Sequence, residues 1–445
     1  MQHKKLFISL TAVGSVIVFF AVFLMIWFVG GDYKDFESFR EEFEIPGLGD
    51  GAVPQGMGTC PAEYYVYNEE VDKTEAKIQQ YYFISAYMSD GSPSRIYVTG
   101  AETGYVGYVT MKTEDGKDFY GHCGGIAINN TRSAVSSTTA NYYTLWVTGE
   151  SMIYCAKASS EFTSQKKTIA QEIVDKAGRK AEEAGNSENY KTIRFTASFE
   201  ANCNASFCYY YDDPSSSGVS SDRLYVGEFY RDGNYKTDDK HKLTTPGGYK
   251  NTAFMYEYNV TSSTENKYGL YTISATDGIA ESDRVPKIQK IFSLPEKVQG
   301  VAFSGKKSYS SSDGILVLSQ SYGLSNSHLL CFDNKKLMTS SKKYTDVAGE
   351  SFVYKGVKKT FGDQTLDYTD SSLYVYYVDK ADEEMFVNDY SVPSMSEGLC
   401  VPTPTTSNND ASNRIYVLFE SASKKYKSFV RKRTKNVYSF IPKIG

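Results

Sequence analysis

QGVAF, residues 299–303, decides the fold. A glycine follows a polar residue and precedes a large, a small and another large apolar side chain. Three other stretches share the pattern: QGMGT at 55–59, GGIAI at 124–128 and EGLCV at 397–401. A fifth, degraded copy is read at ASFEA, 197–201, with Ser198 in the glycine position. Glycine inside a strand marks a close approach of another backbone. In a β-propeller the innermost strand of each blade crowds the axis, pressed by the blades on either side. Gly and Ala permit that approach, and the large residues fill the space between blades.

The rest of the chain agrees with an all-β reading. It holds 38 tyrosines and 25 phenylalanines, and both suit strands. Runs such as QYYFISAY (80–87), YTLWVTG (143–149), GILVLSQS (314–321) and RIYVLFES (414–421) alternate with Gly, Ser, Asn and Asp clusters. One segment, 164–184, has helical spacing and reads as an insertion. The repeats stand about 70–100 residues apart, against about 40–45 for a compact blade. Five copies give five blades. One or two more within the two widest gaps would give six or seven. A β-sandwich is the alternative, but it would not require the repeat.

Residues 6–29 carry no charge and are long enough to cross a hydrocarbon core of about 30 Å as a helix. Lys4 and Lys5 precede them, and Asp32, Asp35 and Glu37 follow. The positive flank stays inside, so the expected topology is single-pass, N-terminus cytoplasmic, bulk of the chain outside. The competing reading is a cleaved signal peptide, whose apolar region usually spans only about 7–15 residues. The expected organisation is a cytoplasmic tail (1–5), a signal-anchor helix (6–29), a linker (30–50) and an extracellular propeller (51–445). A net charge of −5 gives no global basic field, so nucleic acid is not an expected partner. The seven cysteines form no CxxC pair. Cys203 and Cys208 are close enough in sequence for a local disulfide, and at least one thiol stays unpaired within the chain.

The residues before the repeat glycines are Gln55, Gly124, Gln299 and Glu397. Three of the four are polar at the start of strands that otherwise read as buried. His122 lies two residues before Gly124, on the same strand face. Gln55, His122, Gln299 and Glu397 are therefore expected to converge at the channel mouth as ligand-binding residues. Two readings stay open. Such residues can close the ring by bonding neighbouring backbone, or they can hold a ligand, with His122 and Glu397 as acid and base if the protein is an enzyme. Ser319 and Ser321 lack a nucleophile elbow. The basic tail, 424–443, reads as a solvated hairpin edge or as a contact for anionic polymers.

GHCGGIAI followed by LWVTG, VQGVAF followed by LVLSQSYG, and PSMSEGLCV followed by RIYVLFESASKKYK resemble the secreted or membrane-anchored propeller proteins of Gram-positive bacteria, a group without an assigned activity. The resemblance covers most of residues 50–445. It implies a propeller at the bacterial surface, with a cell-wall polymer, peptide or small molecule as ligand. A more distant similarity, to lactonase- and esterase-like propellers, implies a metal-dependent hydrolase with calcium at the channel mouth. Only Glu397 matches that group's carboxylate ligands.

Overall fold

The computed structural model describes residues 35–129, 143–180, 190–212, 222–263, 266–304, 314–323, 325–402, 413–426 and 433–443. The apolar segment 6–29 lies outside them, and no helix among the described residues is long and apolar enough to cross a membrane.

Among the described residues, five sheets of four to six strands follow one another along the chain, beside a separate two-stranded sheet, Phe352–Phe361 with Gln364–Asp370. Their first strands are Ala52–Asn68, Gly125–Ile128, Ala205–Tyr211, Val298–Ser304 and Ser396–Cys400. Each of these packs beside the first strand of the next sheet, and the fifth packs beside the first, so they form a closed ring. The chain is a five-bladed β-propeller.

Crowding at the axis explains the glycines. A Cβ on Gly56 would lie 2.7 Å from Gly125 Cα, and one on Gly125 would lie 2.2 Å from the Cys208 nitrogen. On Gly300 it would meet the Glu397 carbonyl oxygen at 2.6 Å, and on Gly398 the Met57 nitrogen at 2.5 Å. Each glycine thus marks contact with the next inner strand round the ring. Opposite Gly56, Gly125 and Gly300 the second strand carries Ser85, Thr148 and Ser319. These hydroxyl residues fit beside a missing side chain.

The third blade corrects the repeat. ASFEA forms Ala197–Glu200, the outermost strand of the second blade, paired to Met152–Lys157. The inner strand begins eight residues later, with Ala205, Ser206, Phe207 and Cys208; Phe207 takes the glycine position, and the glycine stands opposite it at Gly227, where a Cβ would lie 2.1 Å from the Phe207 ring. Both stretches read Ala-Ser-Phe. The fourth residue separates them: Cys208 fits the crowded axis, whereas Glu200 is exposed.

Segment 30–50, read from the sequence as linker, contains Arg40–Glu44, the outermost strand of the fifth blade. It pairs antiparallel with Asn436–Phe440 near the chain's end. The last blade is therefore built from both ends of the chain. Asn436–Phe440 lies between Arg40–Glu44 and Ile415–Phe419, so that part of the basic tail is not a sheet edge. The helical insertion is Ile169–Gly178, capped by Thr168, whose side chain accepts from the Gln171 N–H. Its buried Ile169, Ile173, Val174 and Ala177 give it an apolar face. All seven cysteines are buried free thiols, so Cys203 and Cys208 form no disulfide.

Candidate functional site at the channel mouth

Four of the five inner strands enter the ring through bulges. Pairing with the second strand slips between Pro54 and Gly56, between Ala205 and Phe207, between Val298 and Gly300, and between Ser396 and Leu399. The skipped residues are Gln55, Ser206, Gln299, and Glu397 with Gly398. A bulge re-aims the side chain it releases. Polar groups at these strand starts are thus turned out of the ordinary alternation.

Glu397 and Glu420 lie side by side, both buried, at 3% and 8% exposure. They hydrogen-bond each other through their carboxyl groups. Ser396 opposes Phe419 and the Glu420 N–H donates to the Met395 carbonyl, so Glu420 sits one pair nearer the mouth, and the bulge at Glu397 and Gly398 lets the Glu397 side chain turn back toward it. The Gln55 amide donates to Glu420 Oε2 at 2.9 Å and to the Pro54 carbonyl at 2.9 Å. Tyr426 also bonds Glu420 and reaches Tyr87. The Lys425 ammonium donates to the Tyr87 hydroxyl. Glu397, Glu420, Tyr426, Tyr87 and Lys425 therefore form one interacting polar cluster that reaches the surface at Lys425.

This arrangement sets the charge state. Burial, then the charge of Glu420, pushes the Glu397 carboxyl well above its usual range. Burial raises Glu420 to about 7, although its bonds to Tyr426, Gln55 and Glu397 and the charge of Lys425 pull the other way. Two carboxyls in contact cannot readily both ionise, so the pair shares a proton near neutrality.

His122 stacks on Tyr87, with ring centroids 4.6 Å apart at 28°. Crowding and the like charge of Lys425 push its pKa down, toward about 4. The residue retains solvent contact, which moderates that push. Tyr87 links it to the acid pair. Gln299 is half-buried at its own bulge and makes no hydrogen bond to the cluster. Of the four residues expected to converge, Gln55 and Glu397 meet, His122 borders them, and Gln299 does not join.

Ser319 and Ser321 do not join His122 either. Ser319 Oγ lies 2.7 Å from Ser396 Oγ, and Ser321 accepts from Ser327 at 2.9 Å, all buried within the blade wall. Farther round the rim, Arg231 lies 3.9 Å over the Tyr322 ring and donates to its hydroxyl. Phe229 and the exposed Tyr235 extend this aromatic border. Below the mouth, Met57, Ile126, Tyr209, Tyr210 and Cys400 help line a narrow axial space of about 20 Å³.

Sequence reasoning missed Glu420, Lys425, Tyr426 and Tyr87. The signal for the first three was FESASKKY, 419–426. A second strand returns to the start of the first, so a carboxylate ending it falls beside Glu397.

Among solved structures, "Structure of Dos1 propeller" matches at 9% identity, over 81% of this chain and 59% of that chain, with a TM-score of 0.23. The chain thus spans less than two thirds of that propeller's length, and a likeness at this level carries no argument about function. No protein-family profile matches the chain. No curated protein matches it in sequence.

Proposed function

We propose that this protein is a binding module of the bacterial cell surface: a propeller tethered by residues 6–29, holding a polar ligand at the mouth formed by Glu397, Glu420, Gln55, Tyr87 and Tyr426. The buried acid pair carries the reading. Burying two carboxyls in contact works against folding, and such departures from stable packing concentrate at functional sites. A ring closed purely for architecture needs neither carboxyl, as Ser319 with Ser396, between the fourth and fifth blades, and Ser321 with Ser327, within the fourth, illustrate. The apolar segment 6–29 and the lysines before it support the tether. The ligand classes that fit are a wall polymer, a peptide or a small polar molecule.

The alternative, a calcium-dependent hydrolase using Glu397 and His122, has less to stand on. Calcium takes about 6–8 oxygen ligands. Among the described residues no group of three or more His, Cys, Asp or Glu side chains is arranged to hold a metal. The mouth already carries a positive charge, that of Lys425, and Glu397 bonds another carboxyl rather than His122.

The test is cosedimentation of the full-length protein, in detergent, with purified wall fragments. Wild type should bind. A Glu397→Gln, Glu420→Gln double variant that still folds should bind at least about tenfold more weakly, a loss of about 1.4 kcal/mol. Chelator should change neither binding nor melting temperature. A folded double variant that binds as wild type does would overturn the assignment of the mouth. Loss of wild-type binding on chelation, restored by calcium, would favour the metal-dependent reading.

A further inference from the structure

Lys425 lies on a short turn, Lys424–Tyr426, at the rim of the mouth. Its ammonium stands 5.1 Å from the Tyr87 ring centroid and 5.2 Å from that of Tyr426, and it donates to the Tyr87 hydroxyl. The Glu420 charge favours its protonated form. The ammonium meets Tyr87 at the hydroxyl end of the ring, so its surroundings are one aromatic ring, that of Tyr426, one hydroxyl acceptor and the charge of Glu420, a set that suits an ammonium group. A calcium ion has no use for the ring. A neutral hydroxyl has no use for the charge.

Lys425 itself is exposed. Among the described residues, no carboxylate oxygen lies within ion-pair distance of it. Its contacts are one hydrogen bond to Tyr87 and the Tyr426 ring, each modest at an exposed site. Its stem is long and flexible. The occupant of this cage is therefore held weakly and can swing into solvent.

We propose that the cage formed by Tyr87, Tyr426 and the charge of Glu420 recognises a primary ammonium group on the ligand, and that Lys425 fills it in the unliganded protein as a displaceable stand-in. This rests on the mouth being the binding site and adds the chemical class it takes. A free amine on a peptide side chain and one on an amino sugar share that chemistry.

The experiment uses full-length protein in detergent and n-butylammonium chloride as probe, read by thermal shift. Lys425→Ala empties the cage, and Lys425→Gln is a second variant that keeps most of the stem without the charge. Both should be stabilised by the probe at concentrations about tenfold below those needed by wild type, which must first displace its own lysine. Adding Glu420→Gln to Lys425→Ala should weaken that response, and n-butanol should give none. Nα-acetyl-lysine amide and glucosamine then serve as the peptide and amino-sugar arms, and a response from either one supports the cage. Equal responses from wild type and both Lys425 variants, or an equal response to butanol, would overturn the inference. The two readings fail separately. Wall-fragment binding that depends on Glu397 and Glu420 without any ammonium response removes only the cage. Fragment binding indifferent to both carboxyls removes the mouth as the site.

Discussion

Glu420 is ordinary by residue type and unusual by position. It follows the last residue of a buried strand and is held against Glu397, where water cannot stabilise its charge. Its pKa rises from 4.5 to about 7, mainly through burial. A raised folded-state value means that the unfolded chain releases its proton first as pH increases. Stability is then fully present below about 4.5 and is lost as pH climbs through about 7, with Glu397 extending the loss upward. His122 works in the opposite direction. Its value is pushed from 6.5 toward about 4, so it removes stability as pH falls through that range. The groups facing the pair are Gln55, Tyr87, Tyr426 and Lys425, and the bonds from Tyr426 and Gln55 together with the lysine's charge oppose the loss. In the Glu397→Gln, Glu420→Gln variant the decline in melting temperature between about pH 5 and pH 8 should flatten. The variant should exceed wild type at the alkaline end, a difference on the order of a few kcal/mol. His122→Asn should instead remove part of the acid-side loss and leave the alkaline side alone. If melting curves of the double variant and wild type decline in parallel with pH, the shared-proton description is wrong. Gln55 and Glu397 were legible because a polar residue in an apolar strand needs a reason. Glu420 was not, because at a strand end before SASKKY it looks like the start of a polar loop.

At the level of the strand, the repeat is a packing rule. Gly300 has no room for a side chain because the carbonyl of Glu397 occupies it. Gly300→Val should therefore destabilise the ring by about 1–3 kcal/mol through overpacking, and disturb the acid pair through the displaced carbonyl. Gly314→Ala is the matched control. A Cβ there meets its nearest neighbour at 3.5 Å, an ordinary contact. Calorimetry showing equal melting temperatures for Gly300→Val and Gly314→Ala would contradict the crowded axis. The same rule explains what sequence could reveal of the fold. Four of the five inner strands announced themselves because the glycine is obligatory. The third did not, because Phe207 replaces glycine, with the glycine moved to Gly227 on the facing strand, and a decoy Ala-Ser-Phe stands eight residues upstream. The closing strand, REEFE at 40–44, was illegible for another reason. Four of its five residues are charged, and its extended form comes from pairing with Asn436–Phe440, almost the whole chain away. Local propensity does not encode a partner at that distance.

For the whole molecule, that distant pairing joins the two ends of the ring. Phe39 stacks on Phe440 with centroids 4.5 Å apart and meets the edge of Tyr390 at 5.9 Å. Phe36 packs on Tyr438 at 4.6 Å. These contacts hold the first described segment to the last strand. Phe39→Ala should cost about 3–5 kcal/mol, a large share of a domain's stability. The closing strand also lies immediately after the proposed anchor, so tether and fold meet within a few residues. A cut between them, at 30–34, leaves Phe36, Phe39 and Arg40–Glu44 with the propeller. Protease added to intact cells should therefore release one large fragment that remains folded and melts cooperatively. In Phe39→Ala the closing strand is loosened, and the same treatment should degrade the released fragment rather than leave it intact. If the bulk of the chain is protected in intact cells and digested only after lysis, the orientation assigned from Lys4 and Lys5 is reversed. If the released fragment is equally resistant in wild type and Phe39→Ala, ring closure does not depend on the N-terminal strand.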